Sequence, residues 1–161
     1  MIAVRQPRGT PNGGQFAPQA NPEPDLDLDP AGMLSGKQAV ESIFPDGESQ
    51  RRRRGHKFLR QSDVEATPPL YSGEEIPFPD KVVTLHYFSS NCDWYVAELD
   101  RETGLAFGHC DLGMGFPEWG YVDLRELEGV ATRWGPVERD CYFTPGRAAD
   151  RIAAVSSDAD R

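Results

Sequence analysis

The fold is decided by residues 81–143, in which apolar side chains alternate with polar ones between short turns. The segments are KVVTLHYF (81–88), DWYVAEL (93–99), LAFGHC (105–110), GYVDL (120–124) and PVERDCYF (136–143). Alternation with a period of two indicates strands, and short polar connections favour antiparallel neighbours. We therefore predict an α+β fold with a small antiparallel sheet, arranged as a meander, and one or two short helices.

Residues 100–104 connect the second and third of these strands. An aspartate at the start of a short loop and a glycine at its end are typical of hairpin turns. If Leu99 faces Leu105, one side of the hairpin is the better core face, and a shift of one residue would invert it. That face carries Tyr95, Ala97, Leu99, Leu105, Phe107 and His109. Further along, Asp123 is a candidate N-cap for one helical turn.

The chain is acidic, with a net charge of −9 and a pI of about 4.8. This balance argues against a general nucleic-acid coat or a binder of anionic membranes. The charge is uneven: residues 1–50 carry −4, residues 51–60 carry +6 and residues 61–161 carry −11. Three cysteines without an apolar leader segment indicate reduced thiols, and no apolar run reaches the length of a membrane span. We expect one domain of cytoplasmic location.

Residues 1–30 are rich in proline, glycine, amides and aspartate, so we predict that they are disordered. Within them, RGTPNGGQFA (8–17) resembles a short tag of actinobacterial and phage proteins. Residues 35–44 show a helical pattern, with Ser35 as N-cap, and Val40, Ile43 and Phe44 on one face. So short a helix is unstable alone. It is either transient or a partner helix that folds into a groove of another protein.

We divide the chain into a disordered arm (1–56), an α+β domain (57–147) and a short helix or frayed tail (148–161). A basic segment at 51–60 supplies candidate contacts to nucleic acid or to a partner protein. Its cations suit phosphates, and its phenylalanine suits stacking on a base. The alternative is a solvated linker, or arginines paired with the acidic surface of the same chain. The candidates are Arg51, Arg52, Arg53, Arg54, Lys57, Phe58 and Arg60.

Six pieces of the chain, spread over residues 56–147, together resemble a family of domains of unknown function. They are PPLY (68–71), HYF (86–88), WYVAELD (94–100), TGLAFG (103–108), WGYVDLREL (119–127) and PVERDCYFTP (136–145). The family is similar to small proteins encoded on bacterial plasmids, phages and conjugative elements. The resemblance implies an α+β fold with a small antiparallel sheet, and it implies no catalytic residues. The sequence departs from the pattern at residues 91–93 and 109–110.

Catalytic and metal sites find little support in the sequence. The possible metal donors lack the paired short spacing of a zinc site, and the cysteines are most simply small buried side chains. We predict no metal and no cofactor. The leading hypothesis is a non-enzymatic accessory or interaction protein of a mobile element. The alternative is a small enzyme whose polar site on the sheet uses His86, His109 and acidic neighbours.

Two further sets of residues have either a structural or a functional interpretation. Glu138, Arg139 and Asp140 place an arginine between two acids in an otherwise apolar strand, which favours a structural ion pair over a functional site. Trp119 and Tyr121 flank a glycine and are either an exposed contact patch or part of the core.

Overall fold

The computed structural model describes Leu28 and residues 32–152. Over these residues the fold is α+β with an antiparallel sheet, as predicted. The helical segments are α1 (Gly36–Ile43), α2 (Arg51–Arg54), α3 (Gln61–Ala66), a 3₁₀ turn (Phe78–Asp80) and α4 (Leu124–Gly129). Residues 148–152 are also helical, and the rest of the segment predicted as a short helix or frayed tail lies outside the described residues. The strands are β1 (Val82–Val83), β2 (Leu85–Ser89), β3 (Cys92–Leu99), β4 (Leu105–Asp111), β5 (Glu118–Asp123), β6 (Ala131–Thr132), β7 (Gly135–Pro136), β8 (Glu138–Arg139) and β9 (Gly146–Arg147). The disorder expected for residues 1–30 falls, except at Leu28, outside the described residues.

The central sheet has five strands in the order β5-β4-β3-β2-β8. Strands β2 to β5 form a meander, and β8 returns to pair with β2. The turn at 100–104 forms as predicted, but Leu99 pairs with Ala106 and not with Leu105. The Asp100 carboxylate accepts hydrogen bonds from two following amides, and Gly104 has a φ of 81°. Strand β5 lies at an edge of the sheet, so its outer backbone groups have no strand partner in the described part of the chain.

A β-bulge in β3 decides which side chains share a face. The pairing register of β3 with β4 shifts between Val96 and Glu98. Leu99, beyond the bulge, joins Val96 in the main core, whereas Tyr95 belongs to a smaller cluster on the opposite face. An extra residue in one strand inverts the alternation that follows it. The prediction that Tyr95 and Leu99 share one core face is therefore wrong.

The segment before the sheet is part of the folded body. Ala39 and Ile43 of α1 are fully buried, Phe44 is nearly so, and Val40 packs partly buried against the same core. The arm predicted to extend to residue 56 is therefore wrong for residues 32–56. The apolar face of α1 already fills a groove of its own chain and is not free for a partner. Tertiary packing supplies the stability that a helix of eight residues lacks alone.

Candidate functional site

Residues 51–54 form α2, a single helical turn of four arginines. Arg51, Arg52 and Arg53 are exposed, and we call them the exposed arginines. Across residues 32–152, no carboxylate lies within ion-pair distance of these three. Gly55 ends the turn with a φ of 82°, and its N–H donates to the carbonyl of Arg51. The backbone beneath the exposed arginines is thus fixed.

Arg54 differs from its neighbours because its side chain is fully buried. Its Nε donates to the carbonyl of Val137 at 2.8 Å, and its Nη2 donates to Glu128 Oε1 at 3.1 Å. Its guanidinium also lies 3.4 Å from Glu48 Oε2 and 4.7 Å from the ring centroid of Phe58. Arg54 therefore anchors α2 to the core and is not free for a ligand. Pairing with an acidic surface, the alternative for these arginines, applies to this one.

The Glu128 carboxylate completes the anchor. It accepts hydrogen bonds from the N–H and hydroxyl of Ser49 and from the N–H of Gln50, at 2.7–3.0 Å. Burial alone would raise the pKa of Glu128, but these hydrogen bonds and Arg54 outweigh it and lower the pKa below 4.5. Every charge in the anchor therefore has a partner, as buried charges require.

The remaining residues of the basic segment also divide into free and engaged side chains. Phe58 is fully buried and stacks on Tyr87 with 4.2 Å between ring centroids, so the prediction that it stacks on a base is wrong. The Arg60 guanidinium donates to Asp63 at 2.6 Å, a hydrogen bond that raises the pKa of Arg60. Lys57 is exposed. Lys57 and the exposed arginines together form the accessible basic surface, whereas the charge of Arg60 is offset by Asp63.

His86, the centre of the enzyme alternative, lies between two carboxylates. Its Nε2 is 2.8 Å from Asp93 Oδ1, and its Nδ1 is 3.2 Å from Asp140 Oδ2. The ring stacks on Tyr95, with centroids 4.4 Å apart and planes 7° apart. Both ring nitrogens are occupied, so His86 has no free nitrogen to accept a substrate proton. The arrangement ties β8 and its following turn to the meander.

Three other side chains bear on the enzyme alternative. Burial lowers the pKa of His109, and its Nδ1 has no hydrogen-bond partner among residues 32–152. Burial raises the pKa of the Cys110 thiol to about 11 and, together with Asp93 and Asp111, raises that of Cys92. A nucleophilic cysteine needs the opposite shift, because the thiolate is the reactive form.

The acid–arginine–acid triplet has a structural role, although its members do not pair with each other. Buried Arg139 donates from Nε to the carbonyl of Lys57 at 2.9 Å. Glu138 lies 2.6 Å from His56 Nε2. Asp140 holds His86 as described above. Glu138 and Arg139 thus fasten β8 to residues 56–57, and Asp140 fastens the following turn to β2.

An aromatic surface lies on the β4–β5 side of the sheet. Phe107 of β4 lies opposite Tyr121 of β5, with ring centroids 5.1 Å apart, and Trp119 lies 5.7 Å from Phe107. Two rings from the preceding loop extend this surface: Phe78 stacks on Trp119 at 5.0 Å, and Tyr71 lies 6.3 Å from Tyr121. Trp119 and Tyr121 therefore belong to a partly exposed patch and not to the main core.

A cavity of about 200 Å³ opens within this surface, and a buried ion pair forms its base. Lys81 Nζ is 2.7 Å from Glu98 Oε1 and donates to the carbonyl of Gly73 at 2.6 Å. The second Glu98 oxygen accepts the Tyr71 N–H at 2.7 Å. Sequence reasoning missed this pair. The available signal was Glu98 itself, an acid that lies between the apolar residues Ala97 and Leu99 of β3.

Two further findings concern the described residues. Among them, no three His, Cys, Asp or Glu side chains are grouped so that they could hold a metal ion. None of the helices within residues 32–152 has the length and apolar character that crossing a bilayer demands.

Comparison with known proteins identifies the domain but assigns it no activity. No curated protein and no solved structure matches the chain. A family model does match, over residues 61–161, which is more than half of the sequence. The resemblance to a domain of unknown function is thereby confirmed, and the chain belongs to the family described as "Protein of unknown function (DUF2958)".

Proposed function

We propose that this protein is a non-enzymatic, cytoplasmic accessory protein of a mobile genetic element that contacts the phosphate backbone of nucleic acid through the exposed arginines. One observation carries the proposal. Three neighbouring cations lie at the surface of α2 without a carboxylate partner in the described part of the chain. Surface arginines that serve only solubility are commonly interspersed with acids.

The buried anchor favours such a role. Because Arg54 fixes α2 to the core, the backbone of the turn does not have to be ordered on binding, which lowers the entropic cost. Lys57 adds positive charge along the same segment. The net charge of −9 opposes non-specific binding, so affinity depends on this local surface.

The alternative, an enzyme with a polar site on the sheet, has weaker support. Both nitrogens of His86 are engaged by carboxylates, and the pKa of the Cys110 thiol is raised. His109 Nδ1 has no hydrogen-bond partner among residues 32–152, but that atom is shielded from solvent. A catalytic base or nucleophile requires a free nitrogen or an accessible thiolate.

The test is the salt dependence of binding to a fluorescently labelled duplex, measured by anisotropy with the full chain. Each phosphate neutralised contributes a slope of about −0.9 to log K against log salt concentration. Replacing Arg51, Arg52 and Arg53 by glutamine should therefore reduce the slope by roughly 3. A control variant replaces two exposed cations elsewhere, Lys37 and Arg133, by glutamine and should leave the slope nearly unchanged.

Two outcomes would overturn the proposal. One is an equal slope for the triple variant and the wild type. The other is no binding to duplex or single-stranded nucleic acid at low salt. In the second case, the same triple variant in a pull-down from host lysate would examine the remaining reading, a protein partner that contacts the same arginines.

A further inference from the structure

The aromatic cavity next to β5 is a second surface, and none of its lining residues belongs to the exposed arginines. Its walls are aromatic rings, its rim carries Glu74, and its base is the Lys81–Glu98 pair. A cavity of about 200 Å³ is smaller than the roughly 300–1,000 Å³ of pockets for drug-sized ligands. It therefore suits one side chain of a partner better than a whole cofactor.

The cavity is held in shape by contacts beneath it. Tyr71 has a φ of 67°, a left-handed conformation that is rare for a residue with a large side chain. The hydrogen bond from its N–H to Glu98 holds it there. A Cβ atom at Gly73 would lie 2.8 Å from Glu98 Oε1, so a side chain there would displace the Glu98 carboxylate from its present position. Backbone strain of this kind persists where surrounding structure imposes it, and it clusters at binding sites.

Charge selects the kind of side chain. Lys81 is neutralised by Glu98 and by the carbonyl of Gly73, while Glu74 has no cationic partner within residues 32–152. The lining therefore carries a net negative charge, surrounded by the electron-rich faces of aromatic rings. Partial burial, the neighbouring Tyr71 and the two carboxylates raise the pKa of Tyr121, which agrees with a negative field at this site.

The neighbouring strand indicates where the side chain comes from. Strand β5 is a sheet edge, and Tyr121 on it lies beside the cavity. An extended segment that adds to such an edge gains backbone hydrogen bonds and presents every second side chain to the same face. A basic side chain of that segment would thus lie over Tyr121 and the cavity.

We propose that the cavity binds one cationic side chain, arginine or lysine, from an extended segment of a partner protein paired with β5. The aromatic rings hold the cation through their faces, and Glu74 supplies the opposite charge. The Lys81–Glu98 pair keeps Tyr71 in position and does not itself exchange partners. Lys81 lies 5.4 Å from the ring centroid of Phe107, so this aromatic surface already accommodates one ammonium group.

The probe is a blocked pentapeptide of sequence Thr-Val-Arg-Val-Thr, titrated into the ¹⁵N-labelled full-length protein and followed by NMR shifts. Its counterpart has citrulline, a neutral group of the same shape, in place of arginine. We expect the arginine peptide to bind about tenfold more tightly, as several cation–ring contacts allow. Shifts should concentrate at β5 and at residues 71–81.

Variants test separately the contribution of the Glu74 charge, the contribution of the Tyr121 ring and the integrity of the fold. Glu74→Gln should weaken binding several-fold, whereas Glu75→Gln, an exposed neighbour outside the lining, should leave it unchanged. Tyr121→Ala should abolish the preference for arginine. Because Tyr121 is 55 % exposed, its removal leaves the fold intact, and an unchanged thermal transition verifies this.

Three results would overturn the inference. The first is a citrulline peptide that binds as tightly as the arginine peptide. The second is equal peptide affinity of the Glu74→Gln and Glu75→Gln variants. The third is binding of acetate at Lys81 in place of the cationic probes. Free arginine amide that binds as tightly as the peptide would overturn the strand-pairing part. The variant in which Arg51, Arg52 and Arg53 are replaced by glutamine should bind the peptide normally, so this inference and the proposed function can fail independently.

Discussion

Replacing Arg54 distinguishes an anchored α2 from a loose basic arm. Arg54→Ala removes a cation whose side chain is fully buried and leaves Glu128 without its counter-charge. The carbonyl of Val137 loses its 2.8 Å hydrogen bond, and the packing of the guanidinium over Phe58 is also lost. Breaking a buried ion pair by removing one partner typically costs about 3–5 kcal/mol. We expect a loss of roughly 4 kcal/mol in the free energy of unfolding.

This magnitude is large against the roughly 5–15 kcal/mol of a typical domain. The Glu128 carboxylate keeps its hydrogen bonds from Ser49 and Gln50, which limits the loss. Arg54→Met, which retains part of the side-chain stem over Phe58, should lose less than Arg54→Ala and serves if the alanine variant does not fold. The matched control is Arg53→Ala, an exposed neighbour expected to change stability by at most about 0.5 kcal/mol.

The assay is urea unfolding of the full chain followed by tryptophan fluorescence, with equal slopes against denaturant verifying that the compared states are alike. If Arg54→Ala and Arg53→Ala differed by less than about 1 kcal/mol, the anchor would not contribute as the contacts indicate. The segment at 51–56 would then behave as the loose arm that its sequence suggests.

Two other predictions concern acid stability and strand packing. The pKa of Glu128 is lower in the folded protein than its ordinary 4.5, so its contribution is complete above that value and is lost as pH falls through the folded pKa. The difference in unfolding free energy between wild type and Glu128→Gln should therefore shrink as the pH falls below 4.5 and through the folded pKa, and a constant difference would contradict the assignment. Gly108→Ala would place a Cβ 1.9 Å from the Tyr95 carbonyl oxygen, whereas Gly120 has nothing within 4 Å of such an atom. Gly108→Ala should lower the melting temperature strongly and Gly120→Ala only slightly, and equal shifts would refute the close approach of β3 to β4.

Features that depend on neighbouring residues were predictable. Ser35 caps α1 by accepting from the Gln38 N–H, and Asp123 caps α4 by accepting from the Arg125 N–H. The hairpin turn beginning at Asp100 follows from the same short-range chemistry. These side chains find their partners within three residues, so the local sequence contains all the information that the contact needs.

The candidate sites were predictable only in part. The pattern of Trp119, Gly120 and Tyr121 indicated two aromatic side chains on one face of a strand, but the rings that complete the surface come from a distant loop. The bulge in β3 could not be read from alternation, and it moved Leu99 to the other face. Positions of this kind depend on pairing between strands and not on either strand alone.

The amino-acid sequence alone determined the α+β class, the meander, the turns and caps, and the presence of a cluster of cations in an acidic chain. The tertiary structure decided which of those cations are free. Arg54 meets Glu128 and Val137, 74 and 83 residues away, and Lys81 meets Glu98, 17 residues away. A buried charge is stable only beside a partner and within a low-dielectric core, and both are created when distant segments pack together. Burial therefore separated one anchoring arginine from three exposed ones that look identical in the sequence.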